Sequence, residues 1–105
     1  MAQFDVYRNR NAATKKLYPY LVDIQNPFLN DLATRIVIPL GDAKVFSGSV
    51  LKGLTPELRF EEEDLLLLTP QVSSISRKQL GNPVGSLAHF RENLLNALDF
   101  AISGI

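Results

Sequence analysis

The hydrophobic pattern of this chain changes its period once, near residue 86. Before that point, short segments alternate apolar and polar side chains or concentrate β-branched ones, as β-strands do. After it, the apolar residues fall within an arc of about 140° on a helical wheel, which is typical of a helix packed on one side. They are Leu87, Phe90, Leu94, Leu95, Leu98, Ala101, Ile102 and Ile105. We therefore predict a mainly β domain over residues 1–80 and a C-terminal helix over about 86–103, an α+β fold.

Six segments carry strand signals. The strongest covers residues 35–40, where three consecutive β-branched residues precede Pro39. The others cover residues 3–7, 20–23, 58–60, 65–68 and 73–76. In the first of these, Phe4 and Val6 point to one face and Tyr7 to the other. Acidic residues 61–64 separate two of the segments as a charged turn would, and the pattern predicts a small antiparallel barrel or sandwich.

The composition narrows the classes of function. A length of 105 residues with 46% apolar side chains suits one domain, residues 1–105, with its own core. The 11 basic and 11 acidic side chains cancel, which argues against direct nucleic-acid binding. The absence of cysteine and the single His89 argue against disulfides and a zinc site, so we expect no metal and no cofactor.

Segments that direct a chain to or across a membrane are also missing. Polar residues interrupt the apolar stretch 87–105, and about 20 apolar residues are needed to span a bilayer. The first ten residues, MAQFDVYRNR, enter a strand pattern and lack a secretory signal. We therefore expect a cytoplasmic protein.

Catalytic motifs are absent from the sequence. It contains no phosphate-binding GxxxxGK[ST] loop, no GxSxG elbow and no HExxH motif. His89 lies on the predicted helix beside no nucleophile. We therefore expect no catalytic residue and a protein that is not an enzyme.

Exposed apolar residues are more informative. Phe28 and Leu29 lie among turn-forming residues, so they form either a contact surface or a lid on the core. Phe100 lies on the polar side of the helical wheel, where it either contacts a loop or belongs to a protein interface. The sequence leaves both alternatives open.

Several blocks, read in order, resemble the CcdB family of toxins from toxin–antitoxin operons. The resemblance is strongest over the first 40 and the last 20 residues. The blocks are QFDVY at residues 3–7, LVDIQ at 21–25, RIVIPL at 35–40, REN at 91–93 and GI at 104–105.

This resemblance implies a homodimer of SH3-like barrels of the CcdB/PemK type, each with a C-terminal helix. Such toxins bind the A subunit of DNA gyrase and trap its cleaved DNA complex, and an antitoxin neutralises them. Carried onto this chain, the gyrase contact falls on an apolar pair after the second strand and on the last three residues, which are Phe28, Leu29, Ser103, Gly104 and Ile105. We add Asp99 and Phe100 to the gyrase-binding residues, because they lie on the same helix beside Ser103.

The other implied partner is a CcdA-like antitoxin, partly disordered, that folds on the toxin. An acidic segment of that kind would suit the basic loop after the first strand. We assign antitoxin binding to Arg8, Arg10, Lys15 and Lys16.

The chain departs from the family pattern at Ser103, which replaces a tryptophan, and at Asp99, which replaces an asparagine. Large aromatics tend to dominate protein interfaces, so we hypothesise that Phe100 supplies the aromatic surface instead. Two alternatives stay open. One is an endoribonuclease toxin of the same barrel, and the other is a CcdB-like protein that has lost gyrase poisoning.

Overall fold

The computed structural model describes residues 2–49, 51 and 53–104, and within them an antiparallel sheet is followed by one α-helix. The predicted α+β class is confirmed. The strands are β1 (Asp5–Arg8), β2 (Tyr20–Asp23), β3 (Thr34–Asp42), β4 (Glu57–Phe60), β5 (Glu63–Leu67), β6 (Ser73–Ser76) and β7 (Gly85–Ser86), and the helix is α1 (Arg91–Ser103). Their order in the sheet is β4-β5-β3-β2-β1-β7, with β6 also paired to β3.

Strand β3 is the central element, and it continues through Pro39 instead of ending there. On one side it pairs with β2 along residues 37–40. On the other side, residues 34–37 pair with β6 and residues 40–42 pair with β5. Pro39 lies between the residues that pair with β6 and those that pair with β5. No strand is paired with it on that side, so the N–H that proline lacks is not needed for a hydrogen bond between strands.

The strand prediction for residues 3–7 is wrong at its start. Phe4 has a φ of 72°, a left-handed conformation that is rare for an aromatic residue, and β1 begins at Asp5. The N–H of Phe4 donates to the carbonyl oxygen of Asp23, which fixes this turn against β2. The ring of Phe4 is buried in the core with Val6, as the alternation predicted.

Tyr7 is not on an outer face. It is fully buried in a second, smaller apolar cluster with Val37 and Leu80. The main cluster lies on the other side of the sheet and includes Val22, Leu40, and Leu94 of α1. Both faces of the sheet around β1 and β3 are therefore covered, which period-two alternation cannot indicate.

The predicted hairpin with an acidic turn is confirmed. Strands β4 and β5 pair from Glu57 to Phe60, and Glu61 and Glu62 form the connection. Both connecting residues are left-handed, with φ of 51° and 64°, as the tightest hairpin turns require. Strand β7 was not predicted from the sequence.

The C-terminal helix begins at Arg91, not near residue 86. Residues Ala88–Phe90 form a 3₁₀ turn, and the hydroxyl of Ser86 accepts the N–H of Ala88. The predicted C-cap is confirmed, because Gly104 is left-handed, with a φ of 73°, and donates its N–H to Phe100. At 13 residues, α1 is too short to cross a bilayer, and no other described helix is long enough.

The buried face of α1 differs from the predicted apolar stripe. Leu94 and Ala97 are its buried residues, although the wheel placed Ala97 outside the stripe. Ala101 and Ile102 are exposed. The helix therefore packs through its first two and a half turns, and its last turn projects an apolar surface into solvent.

Candidate functional site

The turn at Pro27–Leu29 projects two apolar side chains from the sheet. Phe28 is 95% exposed and Leu29 is 44% exposed, so they form no lid on the core. Asn26 caps this 3₁₀ turn, since its side-chain oxygen accepts the N–H of Phe28 at 2.9 Å. Pro27 at the first position supplies the φ that the turn needs. We call residues 26–30 the Phe28 turn.

A buried glutamine lies directly beneath the Phe28 turn. The Nε2 of Gln25 donates to the carbonyl oxygen of Leu29 at 2.7 Å. Its Oε1 accepts the N–H of Ile36 on β3 at 3.0 Å. One side-chain amide therefore joins the turn to the central strand, and both of its polar ends are satisfied.

A buried ion pair lies next to this glutamine. Arg35 and Asp23 are both fully buried, and their closest atoms, Nη2 and Oδ2, are 2.6 Å apart. The Nε of Arg35 donates to the same Oδ2 at 2.8 Å, while Oδ1 accepts the N–H of Gln25 at 2.9 Å. The remaining guanidinium nitrogen, Nη1, donates to Oδ1 of Asn30 at 2.7 Å. The ion pair thus reaches the end of the Phe28 turn.

A second arginine holds the backbone beyond the turn. The Nη1 of Arg77 donates to the carbonyl oxygen of Asn30 at 2.9 Å and to that of Leu32 at 3.3 Å. The N–H of Arg77 donates to the carbonyl oxygen of Ala33. The connection from β2 to β3 is therefore tied to the segment that follows β6.

Tyr7 lies on the same side of the sheet. Its hydroxyl is buried and has no hydrogen-bond partner in the described part of the chain. Burial raises the pKa of Tyr7 above its ordinary value, and the carboxylates of Asp5 and Asp23 raise it further.

The end of α1 forms the second predicted patch. Asp99, Phe100 and Ser103 line a shallow cavity of about 430 Å³ together with Gly53 and Asn96. The ring of Phe100 is 43% exposed. The hydroxyl of Ser103 donates to the carbonyl oxygen of Asp99 at 2.6 Å, so its proton bonds within the helix while Ser103 stays exposed.

Ile102 lies beside this patch without lining the cavity, and the sequence did not identify it as exposed. Its side chain is 80% exposed, although the wheel assigned it to the core. Gly104 follows as the helix cap, and Ile105, also assigned to gyrase binding, lies outside the described residues. Phe28 and Leu29 do not line the cavity at the helix end, so the predicted gyrase-binding residues lie on two separate elements.

The four basic residues assigned to antitoxin binding are spread along the first loop. Arg8 lies on β1 with its guanidinium carbon 5.7 Å from the centroid of the Tyr20 ring. Lys15 and Lys16 are exposed on a turn.

Arg10 lines a groove of about 580 Å³ between this loop and β6. Among the described residues, Lys78 is the other charged residue that lines the groove, and no carboxylate lines it. Leu21 and Ile75 contribute apolar surface. Of the four assigned residues, only Arg10 lines this groove.

Groups with catalytic or metal-binding chemistry do not cluster in the described residues. No three His, Asp or Glu side chains there are placed to hold a metal ion. His89 packs its ring against Phe90, with centroids 4.3 Å apart. The site is thus a set of exposed apolar side chains on a buried polar support.

The support was missed in the sequence, although a signal for it exists. Asp23 and Arg35 are charged residues at the ends of two apolar strand segments, and charged residues are almost never fully buried unless they are paired. The clamp from Arg77 onto Asn30 had no local signal, because that contact joins residues 47 apart in the chain.

One comparison with known proteins bears on this surface. A family model described as CcdB protein matches residues 3–104 of this chain. The match includes the Phe28 turn, the buried ion pair and the whole of α1.

Proposed function

We propose the function of this chain from its family: the chain belongs to the CcdB family, whose members are toxins of toxin–antitoxin systems. Within that family, we infer that it binds the A subunit of DNA gyrase and traps the cleaved DNA complex. The observation that carries this proposal is the almost complete exposure of Phe28 on a turn held by buried hydrogen bonds. The toxin acts in the cytoplasm, where gyrase handles DNA.

Phe28 has the character of an interface anchor. An aromatic side chain offers a large apolar area with few rotatable bonds, and such residues contribute most of the energy at protein interfaces. Leaving this ring in water has no benefit for the fold of the free chain. A partner protein that covers Phe28 and Leu29 would remove their apolar surface from water, which explains why both are exposed in the free chain.

The end of α1 supplies the second contact in this proposal. Ser103 cannot replace the tryptophan expected there, but Phe100 and Ile102 expose apolar surface within one helical turn of it. Gly104 ends the helix and leaves room beside this surface. Asp99 adds a carboxylate, which favours a basic region on the partner.

The mode of action that we propose requires no catalysis by this chain. Gyrase itself cleaves and rejoins DNA, and a protein that binds the cleaved state better than the rejoined state shifts that equilibrium. Differential binding is sufficient for poisoning. The exposed apolar side chains of both patches suit binding to a partner surface.

We also propose that the chain is a homodimer, as the resemblance implies. Exposed Ile36, the third residue of β3, supports an apolar contact between copies. Sedimentation equilibrium should give about twice the chain mass of 11.7 kDa. A mass of one chain across the micromolar range would contradict the dimer.

For antitoxin binding, we propose an acidic segment of a CcdA-like protein on Arg8, Arg10, Lys15 and Lys16. The carboxylate-free groove beside Arg10 supports an acidic partner. Affinity for the antitoxin should fall as salt is raised, because exposed charges are screened beyond about 8 Å at physiological ionic strength. A flat salt profile would contradict this assignment.

The gyrase proposal is tested by measuring affinity for the isolated gyrase A subunit. Phe28→Ala should weaken binding about tenfold or more, as truncation of a central aromatic does. Ile102→Ala should weaken it less. Val45→Ala is the matched control, since Val45 is also an exposed apolar residue but lies outside both patches. Equal affinities for all four proteins would contradict the proposed surface.

A further inference from the structure

We infer that Gln25 and Asn30 are positioning residues, which hold the Phe28 turn in the conformation that binds the partner. This inference rests on the proposed gyrase contact of Phe28. Gln25 comes directly before the turn and Asn30 is its last residue, and side-chain oxygen or nitrogen atoms of both anchor the turn to β3.

The Phe28 turn has little apolar packing of its own. Its two large side chains point into solvent, and none of the residues Pro27–Leu29 is buried. Its internal backbone bonds are those of a single 3₁₀ turn, from Leu29 N–H to Asn26 and from Asn30 N–H to Pro27. Segments with so few buried contacts open at low free energy unless other groups hold them.

Gln25 precedes the turn and holds the carbonyl oxygen of Leu29 near its far end. Its amide binds the carbonyl oxygen of Leu29 and the N–H of Ile36 at the same time. Because Gln25 is buried, water cannot readily replace either bond if the turn moves. Movement of Leu29 away from β3 therefore leaves a buried amide group unsatisfied.

Asn30, the last residue of the turn, supplies the second contact. Its Oδ1 accepts from Arg35, whose guanidinium is oriented by two short contacts to Asp23. A guanidinium fixed in this way donates along fixed directions, so it specifies where Asn30 must lie. The carbonyl oxygen of Asn30 is held in addition by Arg77.

The anchoring of the Phe28 turn should increase the affinity for the partner. Ordering a mobile side chain or loop at an interface costs affinity, and a turn that is already ordered avoids that cost. Loss of an anchor should therefore weaken binding while Phe28 itself is unchanged. The effect should fall mainly on the dissociation rate.

The test combines Gln25→Leu and Asn30→Ala with a matched control, Asn9→Ala. Asn9 is also a partly buried amide that ties down a loop, through Nδ2 bonds to Thr14 Oγ1 at 3.0 Å and to the carbonyl oxygen of Tyr18 at 2.9 Å. It serves the first loop and has no contact with the Phe28 turn among these bonds. Urea unfolding of each variant shows that the proteins compared are folded.

The first readout follows the turn directly. The chain contains no tryptophan, so Phe28→Trp introduces a single reporter at the tip of the turn. In that background, the time-resolved anisotropy of the exposed indole should contain a fast component from rotation of the ring and a slow component from tumbling of the whole protein. Gln25→Leu and Asn30→Ala should each increase the amplitude of the fast component, and Asn9→Ala should leave it unchanged.

The second readout is affinity for the gyrase A subunit, measured with Phe28 in place. We expect Gln25→Leu and Asn30→Ala to weaken binding about fivefold to thirtyfold, and Asn9→Ala to change it less than twofold. Asn30→Ala keeps the test decisive if Gln25→Leu fails to fold.

The two hypotheses fail in different ways. If Phe28→Ala leaves affinity unchanged, the proposed gyrase contact is wrong and the inference is overturned with it. If Phe28→Ala weakens binding but both anchor variants bind like Asn9→Ala, the contact stands and the positioning role alone is overturned. Unchanged anisotropy in both anchor variants would also overturn the positioning role.

Discussion

The ring of Phe60 on β4 occupies the space beside Gly85 on β7. A Cβ atom on Gly85 would lie 2.6 Å from both Cε1 and Cζ of that ring. Strands β4 and β7 are the two ends of the strand order, so the ends of the sheet meet through a side chain packed on a backbone. Tyr20 on β2 packs against the same ring edge-to-face, with centroids 5.1 Å apart.

Gly85→Ala should therefore destabilise the fold. The added methyl group must displace Phe60 from the core, and overpacking of this kind costs about 1–3 kcal/mol. The change is measured as the free energy of unfolding in urea. Gly48→Ala is the control, since a Cβ there meets nothing within 4 Å. Equal stability of both variants would mean that Phe60 does not close the sheet.

Substitutions in the turn between β4 and β5 should increase the stability of the protein. Glu61 and Glu62 both hold left-handed backbone conformations that favour glycine and asparagine. Glu61→Asn with Glu62→Gly should raise the free energy of unfolding by about 1–2 kcal/mol. The control, Glu61→Gln with Glu62→Gln, removes the same two charges but keeps the strain. An equal rise in the free energy of unfolding of the control would mean that removal of the two charges, and not relief of backbone strain, stabilises the protein.

Tyr7 should limit stability at high pH. Its folded-state pKa is raised by burial and by Asp5, so the neutral phenol is favoured in the folded state. The raised pKa therefore contributes to the free energy of unfolding. This contribution is fully present below the unfolded-state pKa of about 10 and is lost as the pH rises through the folded-state pKa. Tyr7→Phe should flatten this alkaline loss.

The same variant tests the unpaired hydroxyl of Tyr7. Removing a buried polar atom that lacks a partner relieves its desolvation cost, so Tyr7→Phe should be as stable as the parent, or more stable, at pH 7. Unfolding curves between pH 7 and pH 11 check both expectations. A marked loss of stability at pH 7 would show that the hydroxyl has a partner.

The buried pair of Asp23 and Arg35 should behave as a unit. Arg35→Met leaves the Asp23 carboxylate buried without its cation, which costs about 3–5 kcal/mol. Adding Asp23→Asn removes that charge and should restore at least part of the loss. A double-mutant cycle of unfolding free energies gives the coupling. Additive effects would mean that the two charges do not stabilise one another.

Local patterns were enough to predict the elements whose contacts are local. Strand β2, the acidic hairpin and the glycine that caps α1 each depend on residues near in sequence. The burial of Tyr7 and the exposure of Ile102 were not predicted, because they depend on which elements pack on each face of the sheet and on how far α1 extends beyond it. Periodicity identifies an apolar face but not what covers it.

In the candidate site, too, local features were predicted and features that depend on tertiary contacts were not. The sequence identified Phe28 but could not decide between a lid and an exposed surface. That choice depends on Gln25, Asn30 and Arg35, whose contacts join the two strands on either side of the turn. Such pairings follow from the register of β2 with β3, which only the folded chain defines.

The central claim is tested most directly by a cleavage assay. The purified protein is incubated with gyrase, supercoiled plasmid and ATP, followed by detergent and protease, and linear DNA is scored. We expect linear DNA to accumulate with the parent chain and to fall sharply with Phe28→Ala. No linear DNA with the parent chain, together with no binding to the gyrase A subunit, would contradict gyrase poisoning and leave a CcdB fold with a different target.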